Sequence, residues 1–275
     1  MRPFAQIDVF TAEPLRGNPV AVVLDADGLS DEDMSRLAHW TNLSETTFVL
    51  PPEDPGADYR VRIFTPVLEL PFAGHPTLGT AHAWLEAGGV PAREGTVVQE
   101  CGVGLVTIDR GERLAFAAPP RLRSGPVDDD LVDRIAGLLR LPAEDLLAVE
   151  WVDNGGPGWV AALLRDADAV LTARPAYDEL DLGLVGLHPA GSPQAIEVWA
   201  FFPQAGAYVE DPVTGSLNAS VAQWLLGSGR VQAPYVAAQG TALGRAGRVH
   251  VREDDDGTIW IGGDTVTVVS GDLDL

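Results

Sequence analysis

The chain contains an internal repeat, and this repeat constrains the fold more than any other feature of the sequence. The segment Phe201–Leu226 is an altered copy of the segment Ile63–Leu85. Aligning the central glycine of each copy pairs Gly74 with Gly215, His75 with Ser216, Thr77 with Asn218 and Leu78 with Ala219. A repeat spaced by about half the chain predicts two similar domains built from a duplicated unit. Each copy places a glycine before a helix of small residues, so we expect two helix N-termini to face one cleft.

Composition excludes several classes of function. The formal net charge of −22 argues against nucleic-acid binding, because a phosphate backbone requires a basic surface. All 18 basic residues are arginines, so no lysine is present to form a Schiff base or to serve a phosphate-binding loop. No stretch approaches the roughly 20 apolar residues of a membrane helix, and we read no signal peptide. We therefore expect a cytoplasmic protein that binds neither nucleic acid nor membrane.

Cysteine and histidine usage gives no support for a metal site. Cys101 is the only cysteine, so an internal disulfide is excluded, and we interpret this residue as a buried structural thiol. The five histidines are scattered and show none of the spacings typical of zinc ligands. His82 is interpreted as a satisfied core histidine.

Hydrophobic periodicity predicts many short strands and few helices, without strict alternation between them. This pattern is typical of an α+β fold in which each half is a curved sheet around one helix. We place the first domain at residues 1–120, with a C-terminal tail of about 264–275 returning to it, and the second at residues 121–263. The sequence Gly17-Asn18-Pro19 is predicted to be a turn, and Ser30 is predicted to begin a helix through an S-x-x-D capping pattern.

Glu45 and His75 are the candidate chemical groups of the first half. Glu45 precedes an apolar strand, where a carboxylic acid should have a raised pKa suited to general acid–base catalysis. The alternative is a surface glutamate in a loop. His75 follows Gly74 at a helix start, where free N–H groups and the helix dipole favour an anion. A histidine that only caps its helix remains the alternative.

The second half offers Asp211 and Ser216. Proline after Asp211 holds that residue extended, so its carboxylate could meet Glu45 across the cleft or could be structural. Ser216 could cap its helix, which is the usual role of serine at such a position. Because no G-x-S-x-G elbow is present, we interpret Ser216 as a hydrogen-bond donor and not as a nucleophile.

Five motifs occur together and in order along nearly the whole chain. They are Gly-Asn-Pro at 17–19, Asn-Leu-Ser-Glu-Thr-Thr-Phe at 42–48, Gly-His-Pro-Thr-Leu-Gly at 74–79, Glu-Asp-Pro-Val-Thr-Gly-Ser at 210–216 and Gln-Gly-Thr-Ala-Leu-Gly-Arg at 239–245. In this combination the sequence resembles the PhzF-like isomerases of phenazine biosynthesis, within the diaminopimelate-epimerase-like fold. The resemblance implies two pseudo-symmetric halves, each a curved mixed sheet wrapped around a central helix, in a homodimer that needs no cofactor.

The resemblance also implies roles for individual residues in a proton-transfer isomerase acting on a small anionic substrate. Glu45 would move a proton between two carbons, while His75, Asp211 and Ser216 would hold and polarise the substrate. The remaining implied contacts are substrate binding by Asn18 and by the backbone N–H groups that follow Gly74 and Gly215. The family's model reaction is the isomerisation of dihydro-hydroxyanthranilic acid.

Related activities are separated from this one by specific residues. Diaminopimelate epimerases and proline racemases use one cysteine in each half, and this chain has Ser216 and His75 at the two glycine loops. Asn218 replaces a histidine that the resembled phenazine enzymes tend to carry. Two alternatives stay open: a non-catalytic binding or interaction protein on the same scaffold, and a different proton transfer, of epimerase or lyase type, on an amino-acid-like substrate.

Overall fold

The structure is a computed structural model that describes residues 1–155, 158–204 and 206–275. Ala205, within the second copy of the repeat, therefore lies outside the described residues. The chain divides into two compact units: unit 1 comprises Met1–Ala117 and Gly262–Leu275, and unit 2 comprises Ala118–Ile261. The domain boundaries drawn from the sequence stay predictions, because the division into compact units does not test whether each part folds alone.

The first part of the chain forms eight strands and two α-helices. They are β1 (Arg2–Val9), β2 (Asn18–Val23), α1 (Asp31–Thr41), β3 (Glu45–Leu50), β4 (Tyr59–Phe64), β5 (Glu69–Leu70), α2 (Gly74–Glu86), β6 (Thr96–Cys101), β7 (Gly104–Arg110) and β8 (Leu114–Ala117).

The second part continues with strands β9 to β18 and three α-helices. They are β9 (Arg123–Pro126), α3 (Asp129–Leu139), β10 (Leu146–Asp153), β11 (Val160–Leu164), α4 (Ala167–Thr172), β12 (Leu182–Leu187), β13 (Ile196–Gln204), β14 (Ala207–Asp211), α5 (Gly215–Gly227), β15 (Tyr235–Gln239), β16 (Gly247–Glu253), β17 (Ile259–Gly263) and β18 (Thr265–Leu273). Short 3-10 turns occupy Ala143–Asp145 and Thr241–Leu243.

Strand directions repeat from one unit to the other. In unit 1, β2 pairs with β3 and β4 with β6 in parallel, whereas β18–β1, β1–β2, β3–β4, β4–β5, β6–β7 and β7–β8 are antiparallel. In unit 2, β11 pairs with β12 and β13 with β15 in parallel, whereas β9–β10, β10–β11, β12–β13, β13–β14 and β15–β16 are antiparallel. The two units therefore share one topology, as the internal repeat predicts.

One helix in each unit is buried on nearly every side. In α2 every residue from Gly74 to Ala81 is buried, and in α5 every residue from Gly215 to Ala222 is buried. Small residues allow this: a Cβ added at Gly79 of α2 would lie 2.3 Å from Cγ1 of Val20, so the helix lies directly on β2. The predicted α+β fold, with a mixed sheet around a central helix in each half, is confirmed.

The outer helices have the amphipathic character that their sequences predict. Ser30 caps α1 by accepting a hydrogen bond from the backbone N–H of Asp33, which confirms the predicted S-x-x-D start. The inner face of α1 packs Met34 and Leu37 against Phe48 of the sheet. In unit 2, the inner face of α3 buries Ile135 in a hydrophobic cluster with residues of the sheet.

Several local predictions were wrong. Asn18 and Pro19 are the first residues of β2 and do not form a turn, since both pair with β1. The strands β5, β9 and β12 and the helix α4 were not predicted. Within the described ranges, no helix combines the length and the apolar character needed to cross a membrane.

Candidate active site

The N-terminus of α2 brings two of the predicted catalytic side chains together in unit 1. Glu45 is the first residue of β3, and His75 is the second residue of α2. Nε2 of His75 lies 3.2 Å from Oε2 of Glu45, with 5% of the histidine side chain and 14% of the glutamate side chain exposed. Because Ala73 is the N-cap of α2, His75 does not cap its own helix. The carboxylate is thus largely shielded from water and held against an imidazole.

Burial keeps the imidazole of His75 neutral. Its pKa is lowered from the ordinary value of 6.5 to about 3, because burial penalises the cation, and a hydrogen bond to the backbone of Pro19 offsets a small part of this effect. A histidine in this state acts through a neutral N–H and a lone pair, and it contributes no positive charge at neutral pH.

Asn18 sets the orientation of the ring. This residue is fully buried at the start of β2, and its Nδ2 lies 3.3 Å from Nδ1 of His75. This contact and the hydrogen bond between the ring and the backbone of Pro19 hold the imidazole in place beside Glu45.

Unit 2 holds the other two predicted side chains at the N-terminus of α5. Asp211 is the last residue of β14, as expected for a residue held extended before proline, and its Oδ2 accepts a 2.5 Å hydrogen bond from Oγ1 of Thr214. Ser216 is the second residue of α5, and Thr214 is the N-cap. The alternative in which Ser216 caps the helix is therefore wrong.

Two residues that the sequence did not single out hold Ser216 in place. The indole Nε1 of Trp159 donates to Oγ of Ser216 at 3.2 Å, and the side-chain amide of Asn154 donates to its backbone carbonyl at 3.0 Å. Since Oγ accepts from the indole, the hydroxyl proton of Ser216 is oriented away from Trp159. This geometry leaves serine the donor role that was expected for it.

The N-termini of α2 and α5 differ from those of the other helices. Side chains of Ser30, Asp128 and Asp166 cap α1, α3 and α4, and each of those helices has acidic residues in its first turn. Within the described residues, the N-caps of α2 and α5 make no side-chain capping bond, and neither first turn contains an acidic residue. In a chain with a net charge of −22, this arrangement leaves two positive helix ends suited to an anion.

The carboxylates break the symmetry of the repeat. Glu45 pairs with Val20 across the parallel strands β2 and β3, and the equivalent pair of unit 2 joins Val160 to Leu182. In the other direction, Asp211 is the last residue of β14, and Leu70 is the last residue of β5, the strand of unit 1 that corresponds to β14. Glu45 of unit 1 therefore corresponds to Leu182 of unit 2, and Asp211 of unit 2 corresponds to Leu70 of unit 1.

The remaining candidates lie outside these two groups. Cys101 is only half-buried at the end of β6, where its thiol donates to the carbonyl of Gly104, so the prediction of a buried structural thiol was wrong. His82 is satisfied by the hydroxyls of Thr265 and Thr267 but is partly exposed. Asn218 is buried, and its amide donates to the carbonyl of Thr214 and to the side chain of Gln239.

Comparisons with known proteins identify the family of this chain. Residues 7–271 match the sequence model of a family described as phenazine biosynthesis-like protein, PhzC-PhzF. The antisense-enhancing sequence 1 protein of Schizosaccharomyces pombe is 34% identical, over 98% of this chain and 97% of the relative. The trans-2,3-dihydro-3-hydroxyanthranilate isomerase of Pseudomonas fluorescens is 35% identical, over 89% of this chain and 88% of the relative.

Solved structures show the same fold. A PhzF-family phenazine biosynthesis protein from Bacillus anthracis superposes with a TM-score of 0.82 at 24% identity, covering 100% of this chain and 99% of the other. A probable proline racemase from Agrobacterium radiobacter gives a TM-score of 0.58 at 14% identity, covering 100% and 93%. These likenesses confirm the predicted diaminopimelate-epimerase-like architecture. The chain belongs to the phenazine biosynthesis-like family, PhzC-PhzF, and is a PhzF-like isomerase.

Proposed function

We propose that this isomerase moves a proton between two carbon atoms of a small carboxylic acid, with Glu45 as the general acid–base. The observation that carries the proposal is the contact between Glu45 and His75, 3.2 Å apart and largely buried at the N-terminus of α2. A carboxylate there removes a proton from one carbon as a base, and the carboxylic acid so formed returns it to another carbon. The chain then ends the cycle in its starting protonation state.

The neutral imidazole of His75 is proposed to polarise the substrate during this transfer. With its pKa lowered to about 3, the ring offers a hydrogen bond without competing for the proton that Glu45 carries. We propose that Asn18 acts on the substrate through His75, because its amide is fully buried and contacts Nδ1 of the ring.

The backbone N–H groups that follow Gly74 in α2 and those that follow Gly215 in α5 are each proposed to bind an anionic group of the substrate. The helices α2 and α5 leave these groups uncapped by any side chain of the described residues, and their dipoles favour negative charge. Ser216 is proposed to add a hydroxyl donor, and Asp211 a second carboxyl group that holds the substrate and assists proton transfer. Such an arrangement would offset the repulsion that a chain of net charge −22 exerts on an anion.

The first substrate to test is trans-2,3-dihydro-3-hydroxyanthranilate. Its support is the name of the Pseudomonas fluorescens relative, which is 35% identical over 89% of this chain.

From the family resemblance we also propose a homodimer in the cytoplasm. Sedimentation velocity and fractionation of cells that express the native protein test these two points.

Proton transfer is tested by incubating the purified enzyme in deuterium oxide with trans-2,3-dihydro-3-hydroxyanthranilate and, in parallel, with a panel of cyclic and amino acids. Nuclear magnetic resonance of each mixture reports both product formation and solvent deuterium bound to carbon. We expect an isomeric product, with deuterium at the carbon that receives the proton in the fraction of turnovers in which Glu45 exchanges its proton with the solvent. If every compound is returned unchanged and free of deuterium, the proposed reaction is wrong for this enzyme.

A further inference from the structure

We propose that Trp159 is a positioning residue that fixes the hydroxyl oxygen of Ser216 in unit 2, and that it affects substrate binding only through that hydroxyl. The inference rests on the proposed function, because it matters for binding only if Ser216 contacts the substrate. It concerns a buried indole N–H at the first turn of α5.

The contact joins a rigid donor to a side chain with few constraints of its own. Trp159 is 2% exposed, and its Nε1 lies 3.2 Å from Oγ of Ser216. An indole nitrogen can only donate a hydrogen bond, so Oγ of Ser216 accepts in this contact. A serine side chain has three staggered positions open to it, and accepting from a fixed donor favours one of them.

Neighbouring strands hold the backbone of Trp159 in place. The residue directly precedes β11, and its carbonyl accepts a 3.0 Å hydrogen bond from the N–H of Val152 in β10. The N–H of the next residue, Val160, donates to the carbonyl of Asp181 at 3.0 Å. A donor that is supported on both sides by strands has little freedom to move, which is what the positioning of another group requires.

Packing alone does not require this hydrogen bond. Trp199 and Trp224 of unit 2 are buried as deeply as Trp159, with 2% and 3% of each residue exposed. Their indole nitrogens have no hydrogen-bond partner among the described residues. Unit 2 thus buries two other indole N–H groups without such a partner, whereas that of Trp159 is directed to a side chain that we propose to bind the substrate.

Unit 1 has a comparable contact at the same point of its central helix. Nδ2 of Asn18, the first residue of β2, lies 3.3 Å from Nδ1 of His75, the second residue of α2. Ser216 is likewise the second residue of α5. In each unit, therefore, a nitrogen-bearing side chain at the start of a strand contacts the second residue of the central helix. The repetition of this contact with different side chains supports a positioning role for Trp159.

The test is a double-mutant cycle between Trp159→Phe, which removes the N–H and keeps an aromatic ring, and Ser216→Ala, which removes the hydroxyl. KM and kcat of the wild type, the two single variants and the double variant are measured on trans-2,3-dihydro-3-hydroxyanthranilate. Trp199→Phe is the matched control, because it removes a buried indole N–H that has no partner in the described part of the chain.

A resonance measurement follows the contact without any turnover. Tryptophan labelled with nitrogen-15 gives an indole N–H signal for each residue, and Trp159→Phe identifies the signal of Trp159. We expect Ser216→Ala to move this signal upfield, because the hydrogen bond is lost. The signal identified from Trp199→Phe should stay unchanged in the same variant.

We expect Trp159→Phe to raise KM by about two- to ten-fold and to change kcat less, as for the loss of one hydrogen bond. In the Ser216→Ala background the same substitution should change KM by less than about two-fold, since no hydroxyl is left to position. Trp199→Phe should leave KM and kcat unchanged. If Trp159→Phe does not fold, replacement of Trp159 by benzothienylalanine, which exchanges the N–H for sulfur in a ring system of the same shape, must give the same result.

Three results overturn the inference: an unchanged KM in Trp159→Phe, an equal rise in KM with and without the hydroxyl of Ser216, and an equal rise in Trp199→Phe. An indole signal of Trp159 that does not move in Ser216→Ala overturns it as well. An unchanged KM in Ser216→Ala counts against the role proposed for Ser216, and absence of turnover by the wild type counts against the proposed substrate. In both cases the resonance signal still decides whether Trp159 fixes the hydroxyl.

Discussion

The neutral state of His75 makes the pH dependence of stability a direct test of the site. The folded protein holds this imidazole at a pKa of about 3, whereas an unfolded chain has the ordinary value of 6.5. Between these values the unfolded chain binds the extra proton, so the stability that His75 confers is present above pH 6.5 and is lost as the pH falls. Replacing the ring by an uncharged amide in His75→Gln should remove this dependence.

The size of the effect follows from the two pKa values. Each pH unit below 6.5 costs about 1.4 kcal/mol of unfolding free energy, until the folded state itself binds the proton. Between pH 8 and pH 5 the contribution of His75 therefore amounts to about 2 kcal/mol. Burial also lowers the pKa of His82, but that residue is present in both proteins and cancels in the difference.

Urea unfolding of the wild type and of His75→Gln at pH 8, 6.5 and 5 measures the effect. We expect the wild type to lose about 2 kcal/mol more than the variant between the extremes. Because burial, and not surface charge, causes the shift, the difference should persist in 1 M salt. Parallel losses of stability in the two proteins would refute the neutral, desolvated imidazole, and with it the role proposed for His75.

Three further predictions concern packing, binding and a second titrating group. Gly79→Ala should lower the unfolding free energy by about 1 to 3 kcal/mol, because the new Cβ would lie 2.3 Å from Cγ1 of Val20. Gly137→Ala in α3 is the control and should not destabilise the protein, because in the described part of the chain no atom beyond the backbone of its own helix lies within 4 Å of its new Cβ. Urea unfolding of the two variants measures the difference. Ser216→Ala should raise KM several-fold and change kcat less, because a hydrogen bond contributes about 1 kcal/mol to substrate binding. A decrease in kcat that is larger than the increase in KM would contradict the binding role. Burial, with Asp211 nearby, raises the pKa of Glu210 to about 7, so the native protein loses stability as the pH rises from 4.5 to 7. Glu210→Gln should therefore stabilise the protein at pH 8 and much less at pH 5, and an equal effect at both values would contradict the raised pKa.

The repeat predicted the architecture because duplication preserves strand order. The parallel pair β2–β3 of unit 1 has a parallel counterpart, β11–β12, in unit 2. The two small-residue helices that the repeat predicted are the central helices α2 and α5. The sequence placed a glycine before each of these helices, whereas Gly74 and Gly215 are their first residues. A glycine at each helix start, and Pro76 in α2, indicate a loop when only helix propensity is considered. The first turn of a helix nevertheless tolerates both residue types.

The chemical groups were harder to predict, because tertiary pairing and not spacing brings them together. Glu45 and His75 are 30 residues apart, and they meet because β3 and the start of α2 lie within the same unit. The hydrogen bonds of Gln239 to Asp211 and Thr214 were not predicted, although a polar residue at the end of the otherwise apolar strand Tyr235–Gln239 was a usable signal. Trp159 gave no such signal, since a tryptophan beside an apolar strand reads as core.

The most direct test of the central claim compares two glutamates that each contact a histidine, Glu45, which is largely shielded, and Glu197, which is buried. Glu45 lies 3.2 Å from His75 in unit 1, and Glu197 lies 3.1 Å from His188 in unit 2. The measurement is kcat of Glu45→Gln and of Glu197→Gln on trans-2,3-dihydro-3-hydroxyanthranilate, with folding checked by circular dichroism. A general acid–base contributes about 10²- to 10⁴-fold, so Glu45→Gln should lose this factor while Glu197→Gln keeps the wild-type kcat. A Glu45→Gln enzyme that retains kcat, or equal losses in both variants, would contradict proton transfer by Glu45.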